Sequence, residues 1–230
     1  MGPDAMKKEF LARLPHSLHT ATLNREETHI GAICLDTRPS LILIEAYQHA
    51  QYLCRREYKR ASKLLVNGVP AKDYLLGAGD MPTLEDKFPY VDINLYFVFF
   101  EVLNNALHSS LRMVGPKGQP PPIEASLISG TSMMSENERT VKITDSGVGI
   151  RRENVPRVWS YFFSRDSSGR HHDPRSGSGS DDEVEGSPEH LPAPGRGVGL
   201  PVSRVLVRYF GGQIDLHSIP RKGTDVYIYL

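Results

Sequence analysis

A carboxylate stands where an apolar helix should have none. Glu101 is bracketed by Phe99-Phe100 and Val102-Leu103, and burying such a group is costly unless it is paired or has a task. Asn105, His108 and Arg112 follow it at four, seven and eleven residues. These positions share one face of a helix, so an otherwise apolar element carries one polar stripe. An ionised carboxylate can take a proton, an amide oxygen can hold a cation, and an imidazole can meet an anion. A merely solvent-exposed seam would carry the same stripe.

Two glycine clusters add chemistry of another kind. Asp145-Ser146-Gly147-Val148-Gly149 closes an alternating segment. Its glycines let backbone approach a ligand closely, and its aspartate can accept a hydrogen bond from an amino group. Aspartate before glycine is also an ordinary turn. Gly195-Arg196-Gly197-Val198-Gly199-Leu200 opens a helix, where unpaired amides and the positive dipole end favour phosphate. It lacks the Gly-Lys-Ser/Thr ending of a P-loop and does not follow a strand, as a dinucleotide fingerprint does. A flexible hinge would also suit it. Gly223-Thr224 sits in a hairpin.

The elements that must position these residues follow from periodicity. Leu43, Ile44, Tyr47, Ala50 and Cys54 lie on one helical face and predict a helix over about 39–64, with Arg55, Arg56, Lys59 and Arg60 on a solvated side. A buried helix is expected over 91–112, alternating strands over 123–129 and 140–145, and a helix over 152–159. A further helix over 198–210 stops at Gly211-Gly212, and strands over 213–218 and 224–230 form a closing hairpin. This order predicts a two-layer α/β sandwich with a mixed sheet.

Composition narrows the class. Lysine plus arginine and aspartate plus glutamate both number 27, so the balanced charge gives no support to a general nucleic-acid surface. Hydrophobic residues make up 39%, enough for a core. Glycine (20) and proline (17) are unevenly spread, with six of them in 115–122 and eleven in 169–199, which marks two flexible interruptions. No run is long and apolar enough to span a membrane, and no signal peptide is visible. Residues 1–28 read as an added leader and the remnant of a preceding helical domain, and 29–230 as the domain proper. Cys34 and Cys54 form no disulfide framework and lack metal-ligand spacing, so they read as two free thiols in a reducing compartment.

The order of these features (Asn-bearing helix, DxGxG, glycine-rich segment, GxGxG opening a helix, Gly-Thr in a hairpin) resembles the GHKL (Bergerat) ATP-binding fold of gyrase, heat-shock chaperones, histidine kinases and mismatch-repair ATPases. Within that group the chain is most similar to the mitochondrial kinases of the 2-oxoacid dehydrogenase complexes. The narrower likeness is carried by His29-Ile30-Gly31, Glu45-Ala46-Tyr47, Tyr161-Phe162-Phe163-Ser164, Gly199-Leu200-Pro201-Val202-Ser203-Arg204 with Tyr209-Phe210-Gly211-Gly212, and Gly223-Thr224-Asp225-Val226.

The resemblance implies an ATP- and Mg²⁺-dependent serine kinase, with the pyruvate complex favoured over the branched-chain one. It implies Glu101 as general base, Asn105 as the Mg²⁺ ligand, and Asp145 as acceptor for the adenine amino group. Gly147, Gly149 and Thr224 would then shape the adenine pocket, and Ser164 would lie at the lid base. Gly195, Gly197, Val198, Gly199 and Leu200 would close over the phosphates in a lid spanning about 164–199. A K⁺ ion, a homodimer, the mitochondrial matrix, and the decarboxylase component and lipoyl-bearing core as partners are implied in the same way, with no role for nucleic acid.

Departures from the pattern fall at Phe97, where a histidine is usual among pyruvate-type members, at Asn104 in place of lysine, and at His108 in place of arginine. Arg165 replaces a hydroxyl residue and could restore the charge that His108 lacks near the phosphates. A nucleotide-binding regulatory module without kinase activity and a histidine-kinase catalytic domain are the alternatives.

Overall fold

A computed structural model describes residues 29–75, 88–115, 118–129, 139–163 and 197–230. The described residues fall into two compact units, one holding 29–37 with 88–92 and the other the rest.

In the small unit, strands β1 (His29–Ile30), β2 (Ile33–Thr37) and β5 (Phe88–Tyr90) form an antiparallel sheet in the order β1-β2-β5. A two-residue turn joins β1 to β2, with Gly31 at φ +62, a conformation that glycine adopts without a Cβ penalty. None of these strands was expected from the sequence. They are two to five residues long, too short for alternation to declare itself.

The large unit begins with α1 (Pro39–Tyr58), which carries Pro39 at its start and Arg55 and Arg56 in its last turn, both favourable placements. The helix ends six residues before the expected limit. Lys59 turns left-handed at φ 61 and its amide bonds to Arg55 O at 2.8 Å. The apolar Leu64–Val66 then forms β3 instead, paired in parallel with β6 (Ile123–Ser129) and antiparallel with β4 (Val69–Pro70). Asn67 and Gly68 both have positive φ between β3 and β4, as a tight hairpin turn demands. Arg60 is not on a solvated face, since its guanidinium donates to the carbonyls of Gly115 and Gly118.

After the short α2 (Ala71–Leu75), α3 runs Asp92–Val114 and buries Leu95, Val98, Phe99, Val102, Leu103, Ala106, Leu107 and Leu111. Strand β7 (Arg139–Asp145) pairs with β6, and β9 (Gly223–Tyr229) lies between β7 and β8 (Gln213–Ile219). The sheet order is β4-β3-β6-β7-β9-β8, with one parallel pair. The expected mixed-sheet α/β fold is therefore present. Val141, Ile143, Val226 and Ile228 are buried at alternate positions, which makes one face of the central strands core.

The helix expected over 152–159 is instead two 3₁₀ turns, Arg152–Asn154 and Pro156–Trp159. Pro156 has no amide to donate, so the helical hydrogen-bond ladder is interrupted there although Val155 keeps helical backbone at φ -56 and ψ -44. Helix α4 (Gly199–Tyr209) ends at Phe210, whose amide bonds to Val207 O at 3.3 Å. Among the described residues, no helix is long and apolar enough to cross a membrane.

Candidate nucleotide site

Strand pairing assembles one half of the site. In the β7–β9 register Asp145 stands opposite Thr224, so the end of the DxGxG segment meets the Gly-Thr hairpin. Asp145 is buried, and one of its oxygens accepts the Gly147 amide at 2.8 Å. Burial raises its carboxyl from the ordinary 3.8 to about 6, against the lowering effect of hydrogen bonds from Gly147, Ser109 and Thr224. A carboxylate held in a largely dry place with an acceptor oxygen suits an amino-group partner.

The glycines here are required by space. A Cβ on Gly147 would strike Ser109 Oγ, and one on Gly149, at φ +64, would strike Ile219 O. Gly223, at φ +120, lies so close to Asp145 O that any side chain would force β9 from β7.

Sequence reasoning overlooked two serines. Ser109 bonds to Asp145, and its carbonyl accepts the Val148 amide at 3.4 Å. Its place one turn beyond Asn105 on the polar side of α3 was the available signal. Ser218 Oγ donates to Gly223 O at 3.0 Å, lies 2.9 Å from Thr224 Oγ1 and accepts the Ile150 amide at 2.8 Å. It is opposite Thr224 in the β8–β9 register, a relation that exists only once the hairpin is paired.

The other half joins α3 to α4. Gly199 opens α4 directly against Glu101, and a Cβ there would strike Glu101 Oε2. Burial pushes the Glu101 carboxyl above its ordinary value. Asn105, one turn further along α3, is exposed. Val198 precedes the helix, its carbonyl taking the Val202 amide at 3.0 Å, and Leu200 is half-buried. Gly197 sits at φ +68, and its carbonyl accepts the Phe162 amide at 2.8 Å.

His108 is buried and packs edge-on against Tyr58, with ring centroids 5.3 Å apart. Burial lowers its imidazole below the ordinary value and favours the neutral form. Asn104 is buried, and its Oδ1 has no hydrogen-bond partner among the described residues. The expected site residues Ser164, Arg165 and Gly195 lie outside the described residues, as does most of the expected lid.

A buried acceptor aspartate, glycine-lined backbone and a helix N-terminus facing a carboxylate define a nucleotide-binding class of site. The family model described as histidine kinase-, DNA gyrase B-, and HSP90-like ATPase matches residues 91–230, and the chain belongs to this family. The particular likeness is to pyruvate dehydrogenase kinases. The chain is 31% identical over 207 residues to the mitochondrial [pyruvate dehydrogenase (acetyl-transferring)] kinase of Schizosaccharomyces pombe, covering 89% of this chain and 43% of that one. It is 29% identical to isozyme 1 of Rattus norvegicus, covering 88% and 40%, and 29% identical to the kinase of Arabidopsis thaliana, covering 87% and 48%. The chain thus spans less than half the length of these relatives.

Proposed function

We propose that the chain is the nucleotide-binding part of a mitochondrial protein kinase that transfers phosphate from ATP to a serine of the pyruvate dehydrogenase complex. The observation that carries this reading is the contact of Glu101 with Gly199, which sets a desolvated carboxylate at the opening of a phosphate-suited helix. The similarity to pyruvate dehydrogenase kinases along nearly all of the chain supports the choice of substrate.

In this reading Asp145 accepts the adenine amino group, with Thr224 beside it and Gly147 and Gly149 admitting the ring. Gly197, Val198, Gly199 and Leu200, together with Gly195, offer backbone amides to the phosphates, and Ser164 belongs by the family resemblance to the lid base near the nucleotide. Arg165 adds charge there, and His108 backs the stripe as a neutral ring. Asn105, an exposed amide on the stripe of Glu101, is a hard oxygen donor suited to Mg²⁺. That ion, when bound, neutralises charge on the transferring phosphoryl group. K⁺ belongs to the reading only through the family resemblance.

Glu101 takes the proton from the substrate serine hydroxyl as its oxygen bonds to the γ-phosphorus, and the bond to the ADP oxygen breaks. The raised carboxyl pKa makes Glu101 a better proton acceptor than an exposed glutamate. The decarboxylase component supplies the serine, the lipoyl-bearing core docks the enzyme, the working state is a homodimer, and the location is the matrix.

The experiment is phosphorylation of the decarboxylase component by the full-length protein with ATP and Mg²⁺, read by mass spectrometry. Serine phosphorylation that falls at least 100-fold in Glu101→Gln supports the reading, and unchanged transfer in that variant overturns it. A second reading, a nucleotide-binding regulatory module, is favoured by the burial of Asn104 and His108 at 8% and 9% exposure. ATP binding by the full-length protein without any phosphorylation would select it.

A further inference from the structure

The two cysteines lack metal-ligand spacing in the sequence, yet one of them acquires ligand neighbours in the fold. His29 and Cys34 are directly opposite in the β1–β2 register, and Cys34 is opposite Tyr90 in the β2–β5 register. Directly opposed residues point to the same face of a sheet, and so does the residue two places along the neighbouring chain. Asp92, two residues after Tyr90, lies just past the end of β5 and opens α3. Among the described residues, the ligand atoms of His29, Cys34 and Asp92 all lie within 4.8 Å of one another, with Cys34 buried and the other two half-buried.

We propose that His29 Nδ1 or Nε2, Cys34 Sγ and a carboxylate oxygen of Asp92 bind one Zn²⁺ ion that staples the small unit. Thiolate, imidazole and carboxylate together are a donor set for zinc, while magnesium and calcium prefer oxygen alone. Three protein donors leave one tetrahedral position for water. With bonds of about 2.0–2.3 Å, the donors of a tetrahedral site are about 3.3–3.7 Å apart, so closing the cluster asks for shifts of roughly 1 Å.

A second set of contacts supports the assignment. Thr37 Oγ1 donates to Asp92 Oδ1 at 2.6 Å, and Thr37 is itself 1% exposed. An outer hydrogen bond of this kind orients a metal-binding carboxylate. Zinc binds Cys34 as the thiolate, with the thiol proton released to solvent.

The unit also has reason to need a staple. Its strands are two, five and three residues long, and Ile30, Ile33 and Leu35 are exposed. So little buried apolar surface among the described residues gives this sheet a weak core, which metal binding reinforces because the free energy of binding is available only to the folded site.

The test is titration of the chelator-treated full chain with zinc alone against a chromophoric chelator, and with cobalt in parallel. The expected result is one equivalent of bound zinc that disappears in Cys34→Ser and in Asp92→Asn, and persists in Cys54→Ser. Cobalt should show a thiolate charge-transfer band with tetrahedral d–d bands. Thr37→Val keeps every ligand and should weaken zinc by about tenfold. Zinc should also slow hydrogen exchange at the β1–β2 amides. Absence of zinc binding, a cobalt spectrum without the thiolate band, or zinc that survives both Cys34→Ser and Asp92→Asn overturns the proposal. The cobalt spectrum of the unaltered chain decides even if a variant fails to fold.

Discussion

Asp145 carries opposing demands at a single carboxyl group. Its folded pKa, about 6, is raised above the ordinary 3.8 chiefly by burial. The native state therefore holds a proton that the unfolded chain has lost, and stability falls as pH rises from about 4 to about 6. A ligand's amino group needs the ionised form, so nucleotide affinity should fall as pH drops through about 6. Asp145→Asn should flatten the pH dependence of the thermal midpoint while lowering ATP affinity, with calorimetry and thermal scans on the same samples as the check. Glu101 predicts a rate effect of the same sign. Its carboxyl is raised by burial, so phosphorylation by the full-length protein should increase with pH across that raised pKa. The acidic limb should vanish from the residual rate of Glu101→Gln.

At the scale of elements, close backbone approach is the constraint that a single methyl group exposes. Gly223 lies at φ +120, and a Cβ added there would collide with Asp145 O. Gly223→Ala should destabilise the large unit by about 2–3 kcal/mol through backbone strain and collision, read as a lower denaturation midpoint. Gly199→Ala acts differently, because the methyl group would meet the Glu101 carboxylate at the first residue of α4. ATP binding and phosphorylation should fall at least tenfold, while stability changes by less than about 1 kcal/mol. The β3–β4 hairpin had a legible signal in Asn67-Gly68, the pair that a two-residue turn favours. The run Leu64–Val66 is three residues long and equally suits a helix end, so periodicity did not decide it. The polar stripe on α3 and the strands β6 to β9 were legible because each is long enough for its period to repeat.

For the whole molecule, the two units predict separable responses. ATP should protect amides of β7, β9 and the start of α4 in hydrogen exchange, and zinc those of β1 and β2. Chelation that exposed β7 and β9 as strongly as β1 and β2 would contradict that separation. Both responses can be read from one full-length preparation.

The sequence by itself determined the α/β class and the family resemblance, and it singled out Glu101, Asn105, Asp145 and the glycine clusters as candidates. Helical and strand periods are local, and glycine-rich turns announce themselves within a few residues. Only the tertiary structure decided that Ser109 supports Asp145 and that Ser218 braces Thr224. It alone set Gly199 against Glu101 and brought the ligand atoms of His29, Cys34 and Asp92 within 4.8 Å of one another. Each of these relations joins residues through strand register or through a helix crossing another element. Register is fixed by pairing along the whole strand, and no spacing within a single segment encodes it.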